Sequence, residues 1–294
     1  MLPQKPCILV VGADGVIGSA LINHIKQLGK IVVGTTRRNQ NSKSDRIFLD
    51  LALPCSFASL ISQEYEAVFI CGAITSLQEC AADPINTRLV NVYGTKSLID
   101  LLAKKDVPII YISTNLVFDG SSPYIDAQCP VCPKTEYGVQ KVKVEKYLRS
   151  KTNNYIIARF GKVLHPTHQL INGWIENLRA NNKVYPYKNK FIAPISLQTA
   201  IKILYWLYIE QAKGTYQATA SSEITYADAA YITADLLKCD QSLIKPVDSL
   251  DLISAPIEYT TLKTSHAIRE KFGKLCPKIA IKEAVMARDS KDYV

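Results

Sequence analysis

The 294-residue sequence predicts a doubly wound α/β fold, with a parallel sheet and a smaller interleaved C-terminal substrate lobe. Strand-like apolar runs alternate with helix-like segments over about 160 residues, which is typical of a parallel sheet covered by helices. The first run, Cys7 to Val11, is continuously apolar, as expected for a strand buried on both faces. Beyond Arg159 the alternation loosens, which indicates a second, less regular lobe.

Length and composition are those of an ordinary globular protein with enough core for one large domain or two smaller ones. Hydrophobic residues make up 48% of the chain, and the net charge is +9, spread along the sequence. A basic surface suits an anionic small molecule as well as it suits nucleic acid. Because no nucleic-acid-binding motif accompanies the charge, we expect a small-molecule partner and no nucleic acid.

Cysteines and apolar runs predict a reduced compartment and no membrane span. The eight cysteines are scattered, and the pair Cys129 and Cys132 lacks the further ligands of a tetrahedral metal site, so no metal is expected. No cleavable signal is evident. The longest late apolar run, Ile201 to Ile209, is too short for a bilayer and ends at Glu210. We therefore expect a cytoplasmic protein.

A glycine-rich turn follows the first strand and precedes an apolar-periodic helix that extends to about Leu28. Such glycines permit a tight turn, and the helix N-terminus offers amides and a positive dipole end to a pyrophosphate. The turn predicts a dinucleotide site, although a turn without a ligand is the alternative. The predicted contacts in this turn are Gly12, Gly15, Val16, Ile17 and Gly18.

The second strand, Ile31 to Thr35, ends in Thr36, Arg37 and Arg38, without the acidic residue that would accept hydrogen bonds from an adenosine ribose. Guanidinium groups suit a phosphate through their charge and forked donors. We therefore predict NADP(H) as the preferred cofactor and NAD(H) as the alternative. A solvated basic loop is the other interpretation of these residues.

Two further strand ends are predicted to line the cofactor. The third strand, Arg46 to Leu49, ends at Asp50 and Leu51, which could wall the adenine. The fourth, Ala67 to Ile70, stops at small residues that would let the cofactor lie close, namely Cys71, Gly72 and Ala73. A helix from about Asn86 to Lys104 follows.

The fifth strand, Pro108 to Ile112, delivers Ser113, Thr114 and Asn115 at its carboxyl end, where ligands bind in open α/β sheets. A helix carrying Tyr137 comes next, and Tyr155 to Ala158 forms the sixth strand.

Tyr137 and Lys141 lie four residues apart in a segment of good helix formers. Positions i and i+4 share one helix face, so the phenol and the ammonium can project into one pocket. A free tyrosine has a pKa near about 10 and is a poor acid–base group at neutral pH. Because a neighbouring cation stabilises phenolate, we expect a lowered pKa for Tyr137. Taken alone, the pair also fits a solvated amphipathic helix.

The second half carries fewer regular signals. We predict helices at Leu170–Ala180, Leu197–Gln211 and Tyr226–Leu237, and strands at Phe191–Ile195 and Gly214–Gln217. The tail after Cys239 is mixed, and it is interrupted by Pro246, Pro256 and Pro277. The predicted domains are a dinucleotide-binding domain at 1–165 with return segments near 191–220, and a smaller lobe at 166–190 and 221–294.

With these residues placed, the chain resembles the extended short-chain dehydrogenase/reductases, a Rossmann-fold superfamily that includes the NAD-dependent epimerase/dehydratases. Within it the sequence looks most like the dTDP-4-dehydrorhamnose reductase group. The resemblance covers nearly the whole chain. It rests on Gly12/Gly15/Gly18, Asn91-Val-Tyr-Gly-Thr95, Ile112-Ser-Thr-Asn-Leu-Val-Phe-Asp-Gly120 and Tyr137-Gly-Val-Gln-Lys141.

The resemblance implies an NADP-dependent oxidoreductase that reduces a nucleotide-linked keto-sugar. Tyr137 would be the acid–base group, and Lys141 its partner, which would also hold the nicotinamide ribose. Thr114 would hydrogen-bond the reacting oxygen, because a hydroxyl can donate to a ketone or accept from an alcohol. Ser113 beside it, Asn91 and Tyr137 itself are cofactor-side candidates. A homodimer is left open.

Two alternatives stay open. One is a nucleotide-sugar epimerase or dehydratase, although such enzymes tend to hold NAD and Arg37 and Arg38 argue against that. The other is an NADP-binding regulatory subunit without turnover. Reductases of the group usually read Ser-Thr-Asp-Tyr at this point, and this chain has Asn115 and Leu116 in place of the Asp-Tyr pair. In having Asn at the first of these positions, the chain also resembles the regulatory β subunit of methionine adenosyltransferase.

Overall fold

The computed structural model describes residues 6–38, 45–249 and 259–289. Its strands are β1 Cys7–Val11, β2 Val32–Thr36, β3 Arg46–Phe48, β4 Tyr65–Ile70, β5 Ile109–Thr114, β6 Tyr155–Phe160, β7 Val163–Leu164, β8 Phe191–Ile192, β9 Ile195–Ser196, β10 Gly214–Ala218 and β11 Ile224–Thr225. Its α-helices are α1 Val16–Gln27, α2 Leu77–Ala82, α3 Pro84–Arg88, α4 Thr95–Ala103, α5 Glu136–Lys151, α6 Gln169–Arg179, α7 Leu197–Ile209, α8 Tyr226–Leu237, α9 His266–Phe272 and α10 Pro277–Asp289.

The chain divides into two compact units, each built from three segments. Unit 1 comprises Met1–Asp119, Pro130–Arg159 and Ile201–Tyr216, and unit 2 comprises Gly120–Cys129, Phe160–Ala200 and Gln217–Val294. The sequence-based division instead assigned 120–129 and 160–165 to the first domain and placed its return segment at 191–220. The sequence pattern does not reveal that residues 120–129 belong to unit 2, because a ten-residue loop carries no periodicity of its own.

A seven-stranded sheet forms the centre of the described structure, in the spatial order β10, β6, β5, β4, β1, β2 and β3. Strand β1 pairs in parallel with both β2 and β4, so the connections leave β1 in opposite directions. Carboxyl ends of neighbouring strands at such a reversal leave a crevice in which ligands bind. The predicted doubly wound α/β fold is confirmed, with strand ends shifted by one or two residues.

The core of unit 1 explains why its strands read as continuous apolar runs. Every residue of β1 is at most 1% exposed, because helices cover both faces of a parallel sheet. Leu98 and Leu102 of α4 and Leu148 of α5 pack into the same cluster. Apolar side chains at helical spacing therefore fix the helices against the sheet, and with them the side chains at the strand ends.

The helix predicted at about 86–104 is interrupted by a π-helical turn. It runs as α3, then the π-helical residues Leu89–Gly94, then α4. Gly94 explains its path, since a Cβ built there would lie 1.7 Å from the carbonyl oxygen of Leu51. Sequence periodicity misses such a turn because a single π-helical turn is too short to show a period of its own.

Unit 2 has its own core around α6, α8 and α10, including Trp174, Ile175, Ala230 and Ile281. A capping box starts α8, in which the Thr225 hydroxyl accepts from the Asp228 amide and the Asp228 carboxylate accepts from the Thr225 amide. Two short strand pairs complete the unit. Strand β11 pairs with β8 in antiparallel orientation, and β7 pairs with β9 in parallel.

One sequence prediction for unit 2 is wrong. The single strand predicted at Phe191–Ile195 is two strands, β8 and β9, which belong to separate sheets. The predicted interruption of the tail at Pro277 agrees with the structure, in which α9 ends at Phe272 and Pro277 begins α10. Proline suits the first helical turn because its missing N–H has no partner there anyway. Pro256 lies outside the described residues.

No helix in 6–38, 45–249 or 259–289 has the length and apolar character to cross a membrane.

Candidate active site

A groove of about 440 Å³ follows the carboxyl ends of β1, β2 and β4 in unit 1. This is the reversal point of the sheet, where an open α/β fold binds its ligand. Predicted cofactor residues that line it are Gly12, Gly15, Arg37, Arg38, Asp50, Leu51, Cys71, Gly72 and Ala73. Lining residues without a prediction are Val11, Asp14, Thr35, Leu49, Ile74, Thr75, Ser76, Glu79 and Val90.

Glycines at the floor of the groove are needed because backbone packs on backbone there. Gly12 has φ +81°, and a Cβ built on it would lie 2.5 Å from the Cα of Gly72. A Cβ on Gly18 would lie 2.2 Å from the Gly12 carbonyl oxygen, so this glycine seats α1 against the turn. Gly18 therefore supports the turn from behind and is not part of the lining.

The end of the groove at β2 combines two guanidinium groups with a carboxylate. Arg37 and Arg38 line this end. The Thr36 hydroxyl donates to Asp14 at 2.6 Å, and Arg46 donates to the same carboxylate at 3.3 Å. Thr36 is thus engaged with the turn after β1. Because Arg46 pairs with Asp14, the negative charge beside the two arginines is partly neutralised.

Asn91, a predicted cofactor residue, is only 3% exposed. Its amide oxygen accepts from the Ile74 backbone N–H and its amide nitrogen donates to the Ile74 carbonyl oxygen, both at 2.8 Å. The same nitrogen donates to Gln140 of α5 at 2.7 Å. Since Ile74 lines the groove, Asn91 shapes the wall after β4 through these hydrogen bonds, and it is not itself part of the lining.

Thr114 ends β5 and is 8% exposed. Its hydroxyl accepts from the Leu116 amide at 3.2 Å and donates to the Asn115 side-chain oxygen at 3.3 Å. The hydroxyl therefore caps the short 3₁₀ turn Asn115–Val117. A donor bond as long as 3.3 Å is weak, so the proton can be redirected to a better acceptor at small cost.

Tyr137 and Lys141 share the buried face of α5, at 8% and 4% exposure. The Lys141 ammonium donates to the Ile112 carbonyl oxygen at 2.8 Å and lies 4.6 Å from the Tyr111 ring centre and 5.6 Å from that of Tyr137. The interpretation of this helix as solvated is therefore wrong. Side-chain hydrogen bonds of the Tyr137 hydroxyl are absent within the described residues, which leaves that group available to a ligand.

Burial shifts the pKa of both groups toward the neutral form. Burial raises the pKa of the Tyr137 phenol well above its usual value, with a smaller contribution from Cys80. Burial also lowers the pKa of Lys141 to about 8, against the opposing attraction of Glu145. The expected lowering of the Tyr137 pKa is thus wrong for this structure. Desolvation of the phenolate outweighs the ammonium, which is itself desolvated and held by Ile112.

Gly138 lets the start of α5 approach the chain that follows β5. A Cβ built on Gly138 would lie 2.1 Å from the Leu116 carbonyl oxygen. Thr135 caps the helix by accepting from the Gly138 amide at 3.1 Å. Together the cap and the close approach fix the rotation of α5, and this rotation directs Tyr137 inward beside the end of β5.

Ser113, a predicted cofactor residue, instead faces a buried ion pair. Its hydroxyl donates to Glu145 at 2.6 Å. The Glu145 carboxylate also accepts from Arg159 at 2.9 and 2.6 Å and from Arg149 at 3.1 Å. Sequence reasoning missed Glu145 and Arg159. The sequence signal for Glu145 was its charge four positions after Lys141. The signal for Arg159 was the presence of an arginine within a buried strand.

Comparison with known families identifies the chain. The description "RmlD substrate binding domain" belongs to a family model that matches residues 6–272. The chain belongs to this family. The match spans both compact units, so the glycine turn, the Tyr137 helix and the later helices α6 to α8 all fall within RmlD-type sequence.

Curated relatives of this RmlD family member include reductases and a regulatory subunit. The Haloferax volcanii "probable low-salt glycan biosynthesis reductase Agl14" is 23% identical over 253 residues, 83% of this chain and 84% of the relative. The Streptomyces niveus dTDP-4-keto-6-deoxy-D-glucose reductase is 25% identical over 247 residues, 82% of each chain. Rat methionine adenosyltransferase 2 subunit beta is 23% identical over 264 residues, covering 84% of this chain and 77% of the relative.

Solved structures confirm the fold. The Bacillus anthracis dTDP-4-dehydrorhamnose reductase in complex with NADP superposes with a TM-score of 0.85 at 15% identity, over 98% of this chain and all of that one. The Thermotoga maritima UDP-glucose 4-epimerase with UDP-glucose gives 0.80 at 18% identity, over 95% and 97%. MoeE5 in complex with UDP-glucose and NAD gives 0.78 at 18% identity, over 95% and 97%. Both predicted nicotinamide cofactors thus occur among proteins that share this RmlD fold.

Proposed function

We propose that this RmlD family member is an NADP(H)-dependent reductase that acts on a nucleotide-linked keto-sugar. The observation that carries the proposal is the buried pair Tyr137 and Lys141 on α5, in which the Lys141 ammonium donates to the Ile112 carbonyl oxygen of β5, the strand that ends at Thr114. Both strand β5 and helix α5 belong to unit 1, which also contains the groove. A phenol, an ammonium and a hydroxyl in this arrangement suit proton transfer to a carbonyl oxygen.

The groove residues fit a dinucleotide. Close backbone packing at Gly12 and Gly72 leaves the floor free of side chains, and the amides at the start of α1 suit a pyrophosphate. Arg37 and Arg38 suit the additional phosphate of NADP, through charge and forked donors. When bound, the nicotinamide supplies or accepts the hydride, and the protein contributes position and electrostatics.

Tyr137 is proposed as the proton donor in the reduction. Its raised pKa keeps the phenol neutral at physiological pH, which is the form that can give a proton to a developing alkoxide. Lys141 lies beside the phenol with a pKa of about 8, so a substantial fraction is charged at neutral pH and would stabilise negative charge as it forms.

Thr114 is proposed to orient the carbonyl. Its hydroxyl has only a weak acceptor in Asn115, and a substrate oxygen would be a better one. Asn115 stands where reductases of the group usually carry aspartate. Since a neutral amide accepts less strongly than a carboxylate, it competes less for the Thr114 proton.

The substrate class is supported by what relatives are named for. One relative is a dTDP-4-keto-6-deoxy-D-glucose reductase, and two structures sharing the fold contain UDP-glucose. A second candidate function has its own support, because the alignment with methionine adenosyltransferase 2 subunit beta covers 84% of this chain, at 23% identity. Under that alternative, the cofactor groove would be kept for binding and regulation without turnover.

Oxidation of NADPH in the presence of a panel of nucleotide-linked 4-keto-sugars tests the proposal. We expect Tyr137→Phe to lower turnover at least a hundredfold, the lower bound typical of a lost general acid, and to leave cofactor affinity nearly unchanged. Tyr65→Phe is the matched control, since the buried Tyr65 hydroxyl lies in β4 without a hydrogen-bond partner in the described residues.

Each result of this experiment has a defined meaning. Turnover that survives Tyr137→Phe would refute the acid–base assignment. Cofactor binding without turnover on any member of the panel would favour the regulatory subunit. Conversion of a nucleotide sugar without net NADPH oxidation would favour an epimerase or dehydratase, because the hydride then returns to the substrate.

A further inference from the structure

A second cavity, of about 400 Å³, lies within unit 2. Its lining includes Tyr124, Leu262 and Leu275 together with three cations, Lys263, Arg269 and Lys274. None of these residues belongs to the groove beside β1. The volume falls in the range that accepts a small organic ligand.

The cations at this cavity exceed their acidic partners. Lys263 pairs with Asp126 at 3.0 Å. Arg269 and Lys274 form no ion pair or side-chain hydrogen bond with any other residue that the structure describes. The surrounding sequence is basic as well, since 259–289 holds seven Lys or Arg and three Asp or Glu. Two uncompensated cations beside one cavity favour an anionic ligand.

The cavity also presents an aromatic ring on an anchored backbone. Tyr124 is 51% exposed, its backbone is held by a hydrogen bond, and its hydroxyl makes a longer, weaker one. Its backbone amide donates to the Thr261 carbonyl oxygen at 3.1 Å, and its hydroxyl donates to the Ser221 carbonyl oxygen at 3.3 Å. The residue has φ +54°, a conformation that bulky side chains rarely adopt and that persists where the surroundings hold it.

The apolar part of the lining complements that ring. Leu262 is buried at 3% exposure, and its backbone amide and carbonyl are both bonded to the Thr219 hydroxyl, so the wall is rigid. Leu275 lies on the lining as well, and its carbonyl accepts from the Ser221 amide at 2.8 Å. A flat ring could therefore stack on Tyr124 and contact both leucines, while a charged group reached the cations.

We propose that this cavity binds a nucleoside monophosphate, with the base on Tyr124 and the phosphate on Arg269 and Lys274. Aromatic side chains bind any base through its π-face, and a guanidinium binds a phosphate through its forked donors. A bare phosphate would leave the aromatic ring and the leucines without a role. The site is separate from the one proposed for reduction, and it does not depend on turnover.

Isothermal titration of the full-length protein with AMP, in the presence of saturating NADP, tests the site. We expect Arg269→Ala/Lys274→Ala to weaken AMP binding at least about tenfold, since two charge-assisted contacts are lost. Tyr124→Ala should weaken it as well, whereas adenosine and inorganic phosphate should each bind more weakly than AMP. Lys278→Ala/Lys282→Ala is the matched control, because it removes the same charge from exposed positions of α10 in the same unit.

The variants separate this cavity from other nucleotide sites. If AMP affinity falls in Arg37→Ala/Arg38→Ala but stays unchanged in Arg269→Ala/Lys274→Ala, AMP binds in the groove and the proposal is wrong. Equal losses in the α10 control and in Arg269→Ala/Lys274→Ala would overturn it too, since net charge alone would then explain the binding. Absence of AMP binding to the wild-type protein would also overturn it. Circular dichroism of each variant verifies that it is folded.

Discussion

Glu145 and Arg159 form a buried ion pair in which the carboxylate accepts two guanidinium hydrogen bonds, at 2.9 and 2.6 Å. Both side chains are 1% exposed. The pair joins α5 to β6, and through the Ser113 hydroxyl it also reaches the end of β5. Since Glu145 lies one helical turn after Lys141, this contact holds the segments that carry Lys141 and Thr114 in a fixed relation.

We expect Glu145→Gln to lower the free energy of unfolding by about 3 kcal/mol, because it leaves the guanidinium of Arg159 buried without a full counter-charge. Chemical denaturation measures this loss. Glu176→Gln is the control, as it breaks an ion pair with Arg288 in which Glu176 is 66% exposed. That change should cost less than about 1 kcal/mol. Equal effects of the two variants would show that the buried pair has no special weight.

We expect Gly138→Ala to destabilise the protein and to lower turnover, because the new methyl group would meet the Leu116 carbonyl oxygen at 2.1 Å. Either α5 or the turn after β5 must shift, at a cost of about 1–3 kcal/mol. Gly173→Ala offers the opposite sign. Gly173 lies inside α6 with nothing within 4 Å of its built Cβ, so alanine should stabilise by about 0.5–1 kcal/mol. Thermal unfolding and NADPH oxidation of both variants measure the two effects.

Much of unit 1 could be predicted from the sequence because its signals are local. A buried parallel strand is a continuous apolar run, and β1 reads as one. Gly12, Gly15 and Arg37 follow strand ends, and parallel topology alone brings strand ends to one edge. The spacing of Tyr137 and Lys141 likewise needs only a helix to place both on one face.

Other features depend on contacts that no local pattern encodes. Ser113 has the composition of a ligand-facing residue, but its orientation is decided by Glu145, 32 residues later. The pKa of Tyr137 follows from the amount of protein around it, whereas its spacing from Lys141 says only that a cation is near. In unit 2, β8 and β9 are two residues long, too short for an alternating pattern to show.

We expect Arg37→Ala/Arg38→Ala to weaken NADP binding at least tenfold and to leave NAD binding within about twofold, because only NADP carries the additional phosphate. Tryptophan fluorescence or calorimetry measures both affinities. The control is Lys30→Ala/Lys104→Ala. It removes the same amount of positive charge as Arg37→Ala/Arg38→Ala, but from exposed positions of unit 1 that do not line the groove. Equal loss for both cofactors would place the two arginines outside the phosphate site.

Lys141 should make the stability of the cofactor-free protein depend on pH. Its pKa is about 8 in the folded protein and near 10.5 when unfolded, so the unfolded chain binds more protons between these values. Unfolding free energy rises with pH wherever the unfolded state holds more protons. Compared with Lys141→Met, the wild type should therefore gain stability from about pH 8 to 10.5, on the order of 2–3 kcal/mol.

Denaturation at a series of pH values measures the difference, and Lys278→Met, at an exposed position, should show no such trend. A flat difference between wild type and Lys141→Met would mean that Lys141 keeps its ordinary pKa and is solvated in solution.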